Sequence, residues 1–212
     1  TRYALNGILW EVEDSTLNLV ATDGRRLAKV AVKLDEAVSA DMPGKVIVPA
    51  KTMSLLDRIG AAEGQKVGIR FADNQVIMEC GQAIVSSNLV QGNFPKYDDI
   101  IPKDYNNSVT LATDATLSAV RRAALLANED SKGIKLSLSG DKLVFSGRAP
   151  ETGDAQVDMS VEYSGDPIEI GFNPQFLIDV LRVLKDDTFT LELGDSERPG
   201  LITLIISLAN SD

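Results

Sequence analysis

A short β-branched strand, a turn and an amphipathic helix follow one another three times along the chain, and this repeat limits the possible folds more than any other feature. The copies begin at residues 46, 109 and 168, which gives a period of about 60 residues. They predict helices over 50–59, 115–127 and 174–185. The third helix is the clearest, because Asn173 is a typical N-cap and Pro174 suits the first helical position.

The segments between the helices alternate as strands do. Residues 134–146 predict a hairpin around Gly140. Residues 156–163 predict a further strand, and 188–193 with 201–208 predict another pair. The repeating unit is therefore one strand, one helix and then three strands.

The repeats predict two domains. Residues 1–33 read as the strand half of a unit whose helix is missing, and the chain opens with Thr1, so we expect a piece of a longer protein. The polar, turn-rich stretch 102–107 is the best linker. The expected domains are therefore 1–103, truncated at its start, and 104–212, which is whole.

Charge is distributed unevenly between the predicted helices and the rest of the chain. The net charge is −10, yet the helices sum to +3 and the remainder to −13. The basic helix residues are Lys51, Arg58, Arg121, Arg122, Arg182 and Lys185. These faces are either simply solvated, or they form one surface that holds a polyanion loosely through its phosphates while the acidic body repels it elsewhere.

Several chemistries are excluded by composition. The chain has no histidine, which removes Ser-His-Asp triads and histidine-bearing zinc sites. The single cysteine, Cys80, cannot form an intrachain disulfide, fits a reducing cytoplasm, and is expected to be buried filler. No apolar run reaches the length of a membrane span, and no phosphate-binding glycine loop is present. We therefore expect no catalytic residues, metal site or cofactor.

One enzymatic alternative stays open at this point. Acidic pairs occur at Asp98-Asp99, Glu129-Asp130 and Asp186-Asp187. The residue types present are therefore compatible with a metal-dependent phosphodiesterase that uses loop carboxylates. Adjacent carboxylates in polar loops are, however, more typical of turns and solvated surface.

Several stretches together resemble the bacterial sliding clamps, the DNA polymerase III beta subunit family. They are residues 1–8 (TRYALNGI), 20–28 (VATDGRRLA), 46–49 (VIVP), 92–97 (GNFPKY) and 170–173 (IGFN). The resemblance implies an α+β protein with the DNA clamp fold, in which repeated strand–helix–three-strand units place helices on one face of antiparallel sheets. It also implies a homodimeric ring that surrounds double-stranded DNA and binds it without sequence specificity.

By the same resemblance, the chain corresponds to most of the family's middle domain and all of its last domain. The implied function is that of a non-catalytic, cytoplasmic processivity factor that tethers the replicative polymerase, the clamp loader and repair proteins through short linear motifs. This fragment alone is not expected to close a ring. A clamp-fold scaffold without a DNA role is the second alternative.

The resemblance assigns DNA-facing positions. They are Arg2, Tyr3, Lys51, Arg58, Arg121, Arg122, Arg182 and Lys185. For Arg58, Arg121 and Arg182 the rotation of the helix decides whether they face inward. Tyr3 lies in a strand predicted over 3–11, where it is alternatively a packed strand residue.

The resemblance also assigns a partner-motif pocket and a ring interface. The pocket positions are Leu5, Thr22, Gly24, Arg25, Arg26, Leu27, Pro95 and Ile100 on one side, and Asn173, Phe176, Pro199, Leu204, Ile206, Ser207 and Leu208 on the other. Leu27 and Leu204 are alternatively ordinary core. Leu125 and Leu126 match the ring interface. The Ile206-Ser207-Leu208 ending departs from the family's Met-Pro-Met-like segment, which leaves the motif preference open.

Overall fold

The chain forms two compact units in the computed structural model. The structure describes residues 3–34, 43–59, 66–126, 133–149, 153–196 and 198–204. The units are Thr1–Lys96 and Tyr97–Asp212. The stretch 102–107, where the sequence placed a linker, lies inside the second unit, and the division into independent domains at 103/104 stays a prediction.

The first unit contains seven strands and one helix among its described residues. They are β1 (Gly7–Glu13), β2 (Thr16–Thr22), β3 (Leu27–Lys33), β4 (Lys45–Pro49), α1 (Ala50–Ile59), β5 (Val67–Ala72), β6 (Gln75–Cys80) and β7 (Ala83–Asn88).

The second unit contains seven strands and two helices among its described residues. They are β8 (Asn107–Ala112), α2 (Thr113–Ala124), β9 (Ile134–Ser139), β10 (Lys142–Ala149), β11 (Gly153–Ser160), β12 (Ile168–Phe172), α3 (Pro174–Val183), β13 (Thr188–Leu193) and β14 (Leu201–Thr203).

The order of these elements follows the predicted repeat. Both β4–α1–β5–β6–β7 and β8–α2–β9–β10–β11 consist of one strand, one helix and three strands. The third copy continues from β12 through α3 to β14, and the end of the strand predicted over 201–208 lies outside the described residues.

The strand that leads into each helix joins the sheet of a neighbouring repeat. In the second unit β8 pairs with β13, and β12 pairs with β9, both antiparallel. In the first unit β4 pairs in the same way with β1. The sheets are β3-β2-β1-β4 and β5-β6-β7 in one unit, and β11-β10-β9-β12 and β14-β13-β8 in the other. Each unit is therefore held together by backbone hydrogen bonds between successive repeats.

The core of the second unit lies beneath its two helices. Leu136, Leu143 and Phe145 on the sheet are almost completely buried. Helix α2 packs on α3 and on strands β10 and β11, so the apolar stripes of both helices cover the alternating side chains of the sheet. Thr113 fixes the start of α2, since its hydroxyl donates to the Asp186 carbonyl at 2.7 Å.

The first unit has a core of its own. Trp10, Val48, Val76 and Met78 are buried in it, with the Trp10 ring meeting Phe71 edge-on at 6.4 Å between centroids. Cys80 is buried too, which confirms its prediction as core filler. No helix in the described part of the chain is long and apolar enough to cross a bilayer.

Several predicted elements have different limits in the structure. Helix α2 spans Thr113–Ala124 instead of the predicted 115–127, since Thr113 already starts the helix and the chain turns after Ala124, and strand β11 spans Gly153–Ser160 instead of 156–163.

Strand β1 begins at Gly7, so Tyr3 lies ahead of it and is 46% exposed; the alternative of a packed strand residue is wrong. Helix α3 ends at Val183, because Leu184 turns to an extended conformation and packs into the core. Lys185 is therefore exposed just beyond the helix, and its predicted place on the helix is wrong.

The core of the second unit should respond strongly to loss of volume. We expect Leu136→Ala to lower the free energy of unfolding by about 2–5 kcal/mol, because Leu136 has no exposed surface and leaves a cavity. Urea unfolding followed by circular dichroism measures this change. The control is Val183→Ala, whose side chain is 73% exposed; equal destabilisation of both variants would contradict this packing.

Candidate DNA and partner interfaces

Helix α1 presents a basic, solvent-facing side. Lys51 and Arg58 are seven residues apart, which places them on one face two turns from each other, and both are exposed. Leu55, 48% exposed, lies between them on that face. The packed side of the helix includes buried Thr52, whose hydroxyl donates to Ser87 Oγ at 2.8 Å.

Helices α2 and α3 also carry exposed basic residues. Arg121 and Arg122 are exposed in the last turn of α2, while Ala119, Val120 and Ala123 face the core. Arg182 is exposed in the last turn of α3. The apolar stripes are buried, so Arg58, Arg121 and Arg182 all face solvent; that they face DNA stays a prediction.

Basic residues on the helices differ from those on the sheets in their partners. Within the described residues, none of the six basic side chains that the sequence assigned to helices takes part in a salt bridge. Those on the sheets are largely paired. The pairs are Lys45–Glu11, Arg70–Glu79 (2.5 Å), Lys135–Glu169 (3.0 Å), Lys142–Asp158 (2.5 Å) and Arg148–Asp154 (3.4 Å).

Two of the paired carboxylates on the second unit's sheet, Asp158 and Glu169, are stabilised in their ionised form. The hydrogen bond from Lys142, aided by Gln156, lowers the pKa of Asp158. The hydrogen bonds from Lys135 and Ser137 lower the pKa of Glu169. Positive charge on the sheets is thus compensated locally, whereas the helix cations remain available to an external anion.

The hairpin loop between β2 and β3 is built around the carboxylate of Asp23. Its Oδ1 accepts from the backbone N–H of Arg25 at 2.9 Å and of Arg26 at 3.0 Å, and its Oδ2 accepts from Arg26 Nε at 3.0 Å. Burial is the largest single influence and raises the pKa of Asp23, but the hydrogen bonds from Arg25 and Arg26 together outweigh it, so the pKa is lowered. Gly24 has a φ of +84°, which favours glycine.

Thr22 closes the same loop. Its hydroxyl donates to the Arg26 carbonyl at 2.8 Å and accepts from Gly24 N–H at 3.1 Å. Thr22, Gly24 and Arg26 therefore hold the loop's shape. Asp23, which sequence reasoning did not assign to the site, organises it, and an Asp-Gly pair in a hairpin was the signal that could have identified it.

A cleft of about 520 Å³ lies in the first unit. Its lining residues are Tyr3, Ala4, Leu5, Asn6, Val90, Gln91 and Gly92. Tyr3 and Leu5, predicted for DNA and for the motif pocket respectively, thus share one cleft. Leu27 is half-buried at the start of β3. Pro95, in the loop region after β7, is also half-buried. Arg2 lies outside the described residues.

The second unit holds the other predicted pocket residues. Asn173 caps α3 as predicted, since its Oδ1 accepts from Gln175 N–H at 2.9 Å, and Phe176 is half-buried one turn into the helix. Leu204 packs against the core, while Ile100 and Pro199 are exposed. Ile206, Ser207 and Leu208 lie outside the described residues.

The predicted ring-interface residues follow directly after α2. Leu125 is 80% exposed and Leu126 is half-buried in the turn there. A single exposed apolar side chain is common on protein surfaces, so the assignment of Leu125 and Leu126 to a ring interface stays a prediction.

The carboxylate alternative finds little support. Asp98, Asp99, Asp186 and Asp187 are exposed, and Glu129-Asp130 lies outside the described residues. Among the residues that the structure describes, no group of three acidic or cysteine side chains could hold a metal ion.

Comparison with known proteins decides the family. The sequence family of the DNA polymerase III beta subunit central domain matches residues 1–96, and the family of its C-terminal domain matches residues 98–206. The chain belongs to the DNA polymerase III beta subunit family. This membership confirms the resemblance and the α+β clamp fold, and the phosphodiesterase alternative is not favoured.

Curated relatives support the same family assignment. The chain is 36% identical over 201 residues to the beta sliding clamp of Pseudomonas aeruginosa, a match that covers 95% of this chain and 54% of the relative. It is 35% identical over 195 residues to that of Escherichia coli K12, a match that covers 92% and 52%. The chain thus spans about half the length of the curated relatives it matches.

Solved structures give the same result. A DnaN sliding clamp from Pseudomonas aeruginosa bound to griselimycin matches with a TM-score of 0.88 and 36% identity, over 95% of this chain and 54% of that one. A putative DNA polymerase III beta subunit from Eubacterium rectale matches with a TM-score of 0.85 and 28% identity, over 94% and 54%.

The hairpin loop should titrate with Asp23. Because its folded-state pKa is lowered, the carboxylate stabilises the loop above the ordinary carboxyl pKa, and this contribution disappears as the pH falls through the lowered value. We expect the amide NMR signals of Arg25 and Arg26 to shift in that acidic range. In Asp23→Asn, which can still accept a hydrogen bond, both signals should stop titrating; an unchanged titration would assign the effect to another group.

Proposed function

We propose that this chain is the DNA-holding and partner-binding part of a replicative sliding clamp. The complete protein encircles duplex DNA as a homodimeric ring in the cytoplasm and tethers the polymerase, the clamp loader and repair proteins. It catalyses no reaction itself. Its contribution is topological, because a closed ring cannot dissociate while it slides.

The observation that carries this proposal is the contrast in pairing between helices and sheets. The helix cations have no salt-bridge partner within the described residues, whereas most sheet cations are neutralised by neighbouring carboxylates. A polyanion is therefore favoured along the helices and repelled by an acidic body of net charge −10. Contacts to phosphates alone hold the duplex without fixing a sequence, as sliding requires.

Partner binding is proposed for the pocket positions of both units. The Asp23-centred loop, the cleft beside Leu5 and the capped start of α3 supply rigid polar groups next to apolar ones. Apolar residues of a linear motif would provide anchors, and polar groups would fix its register.

The topological part of the proposal is tested with the complete gene product. We expect it to remain on circular DNA after loading and to slip off linear DNA, because only free ends allow a ring to leave. Gel filtration of loaded complexes measures the retained fraction. Equal retention on both substrates would refute encirclement.

The 212-residue chain by itself serves as the companion sample. We propose that a closed ring needs the portion of the family's length that this chain does not span, so retention on circular DNA should be absent. Stable retention of this chain on circles would contradict that view.

The role of the helix cations is tested by charge reversal in the complete protein. We expect Lys51→Glu with Arg122→Glu to weaken DNA binding, and to reduce the slope of log affinity against log salt by about 1 for each phosphate that is no longer bound. The matched control is Lys33→Glu with Lys103→Glu, which changes the net charge equally at exposed positions outside the helices. If loading and salt dependence are unchanged in the helix variant, the scaffold alternative is favoured.

A further inference from the structure

Two segments that carry predicted pocket residues meet at the ring of Phe172 in the second unit. The far end of the ring lies against Gly200: a Cβ atom added to Gly200 would be 3.0 Å from Phe172 Cζ and 3.1 Å from Leu193 Cδ2. Both distances are shorter than ordinary van der Waals contact, so a larger residue at this position would push its neighbours away. Phe172 ends β12 and Gly200 directly precedes β14, and these strands belong to different sheets. The contact therefore joins the two sheets of the unit at this point.

The predicted pocket residues Asn173 and Pro199 each lie one residue from this contact. Asn173 follows Phe172 and caps α3. Pro199 directly precedes Gly200. Neighbouring Cα atoms are only about 3.8 Å apart, so a displacement at the contact reaches both pocket positions.

The turn on the other side of Pro199 is fixed as well. Asp195 Oδ1 accepts from the backbone N–H of Arg198 at 3.0 Å, and its Oδ2 pairs with Arg198 Nε at 3.0 Å. The ring of a proline restricts its own φ to about −65°. Pro199 is thus held between this turn and Gly200, and it is exposed, as a residue that contacts a partner has to be.

We propose that Phe172 and Gly200 are positioning residues of the partner-motif pocket, which together set the distance between Pro199 and the start of α3. This inference rests on the proposed partner-binding function and adds to it two residues that act through their neighbours. Phe172 is half-buried and packs against the core, so its ring serves as a spacer within the unit. A pocket wall that is already fixed before binding costs little conformational entropy when a peptide enters.

Peptide affinity and stability, measured on the same variants of the 212-residue chain, test the proposal. The probe is an apolar heptapeptide selected on the wild-type chain from a random display library, and calorimetry measures its Kd at a temperature where circular dichroism shows each variant folded. We expect Gly200→Ala to weaken binding about 3-fold to 10-fold, because the added Cβ displaces the segment that holds Pro199. The matched control is Gly171→Ala, which adds the same methyl group beside Phe172 where nothing lies within 4 Å, and its Kd should equal that of the wild type.

A second substitution separates positioning from a merely structural role. Phe172→Leu shortens the spacer, so we expect it to weaken binding by itself and to restore most of the affinity when it is combined with Gly200→Ala. A contact that only stabilised the fold would lower the midpoint of urea unfolding and leave the Kd of the folded chain unchanged.

The outcomes separate this inference from the function on which it rests. A wild-type Kd in Gly200→Ala, or losses in the two single variants that simply add in the double variant, overturns the positioning role and leaves partner binding intact. An equal loss of affinity in Gly171→Ala assigns the effect to β12 in general and overturns the positioning role too. Failure of the wild-type chain to select any apolar peptide overturns partner binding and this inference with it.

Discussion

The strand that precedes each helix pairs with the sheet of a neighbouring repeat, and this exchange of strands determines how the repeats assemble. A strand–helix–three-strand unit by itself leaves the apolar side of its helix and one edge of its sheet uncovered. Pairing β8 with β13 and β12 with β9 joins two such units through continuous antiparallel ladders. Each helix begins directly after an exchanged strand, so the same pairing fixes where α2 and α3 begin and lets them pack on one another over a shared core.

Strand pairing, both within a repeat and between repeats, also explains the distribution of charge partners. Strands placed side by side bring distant side chains within reach of a salt bridge, as Lys135 on β9 reaches Glu169 on β12. The exposed face of a helix offers only neighbours three or four residues away. No acid lies three or four residues from Arg121 or Arg122, so the charge of these arginines stays uncompensated. A protein can in this way be acidic overall and still present a cationic surface.

Sequence reasoning was most successful where short-range chemistry decides the structure. The cap at Asn173, the limits of α1 and the repeat itself follow from local residue preferences, and the structure agrees with them. The predictions were wrong at Tyr3 and Lys185, because the ends of elements depend on what packs there. Leu184 continued the apolar stripe of α3, yet the chain leaves the helix at that residue to enter β13.

The amino-acid sequence alone determined the repeating units, the excess of positive charge on the predicted helices and the absence of histidine chemistry, since these depend on residue identity and spacing. Tertiary structure decided which strands pair across repeats and which cations keep an uncompensated charge. It also decided that Asp23 binds the backbone and the side chain of the residues that follow it, while Arg25 is left outward. These outcomes depend on contacts between residues far apart in the chain or on the loop's three-dimensional path; the Asp23-Gly24 pair indicates a turn, but it does not encode which side chains the turn leaves exposed.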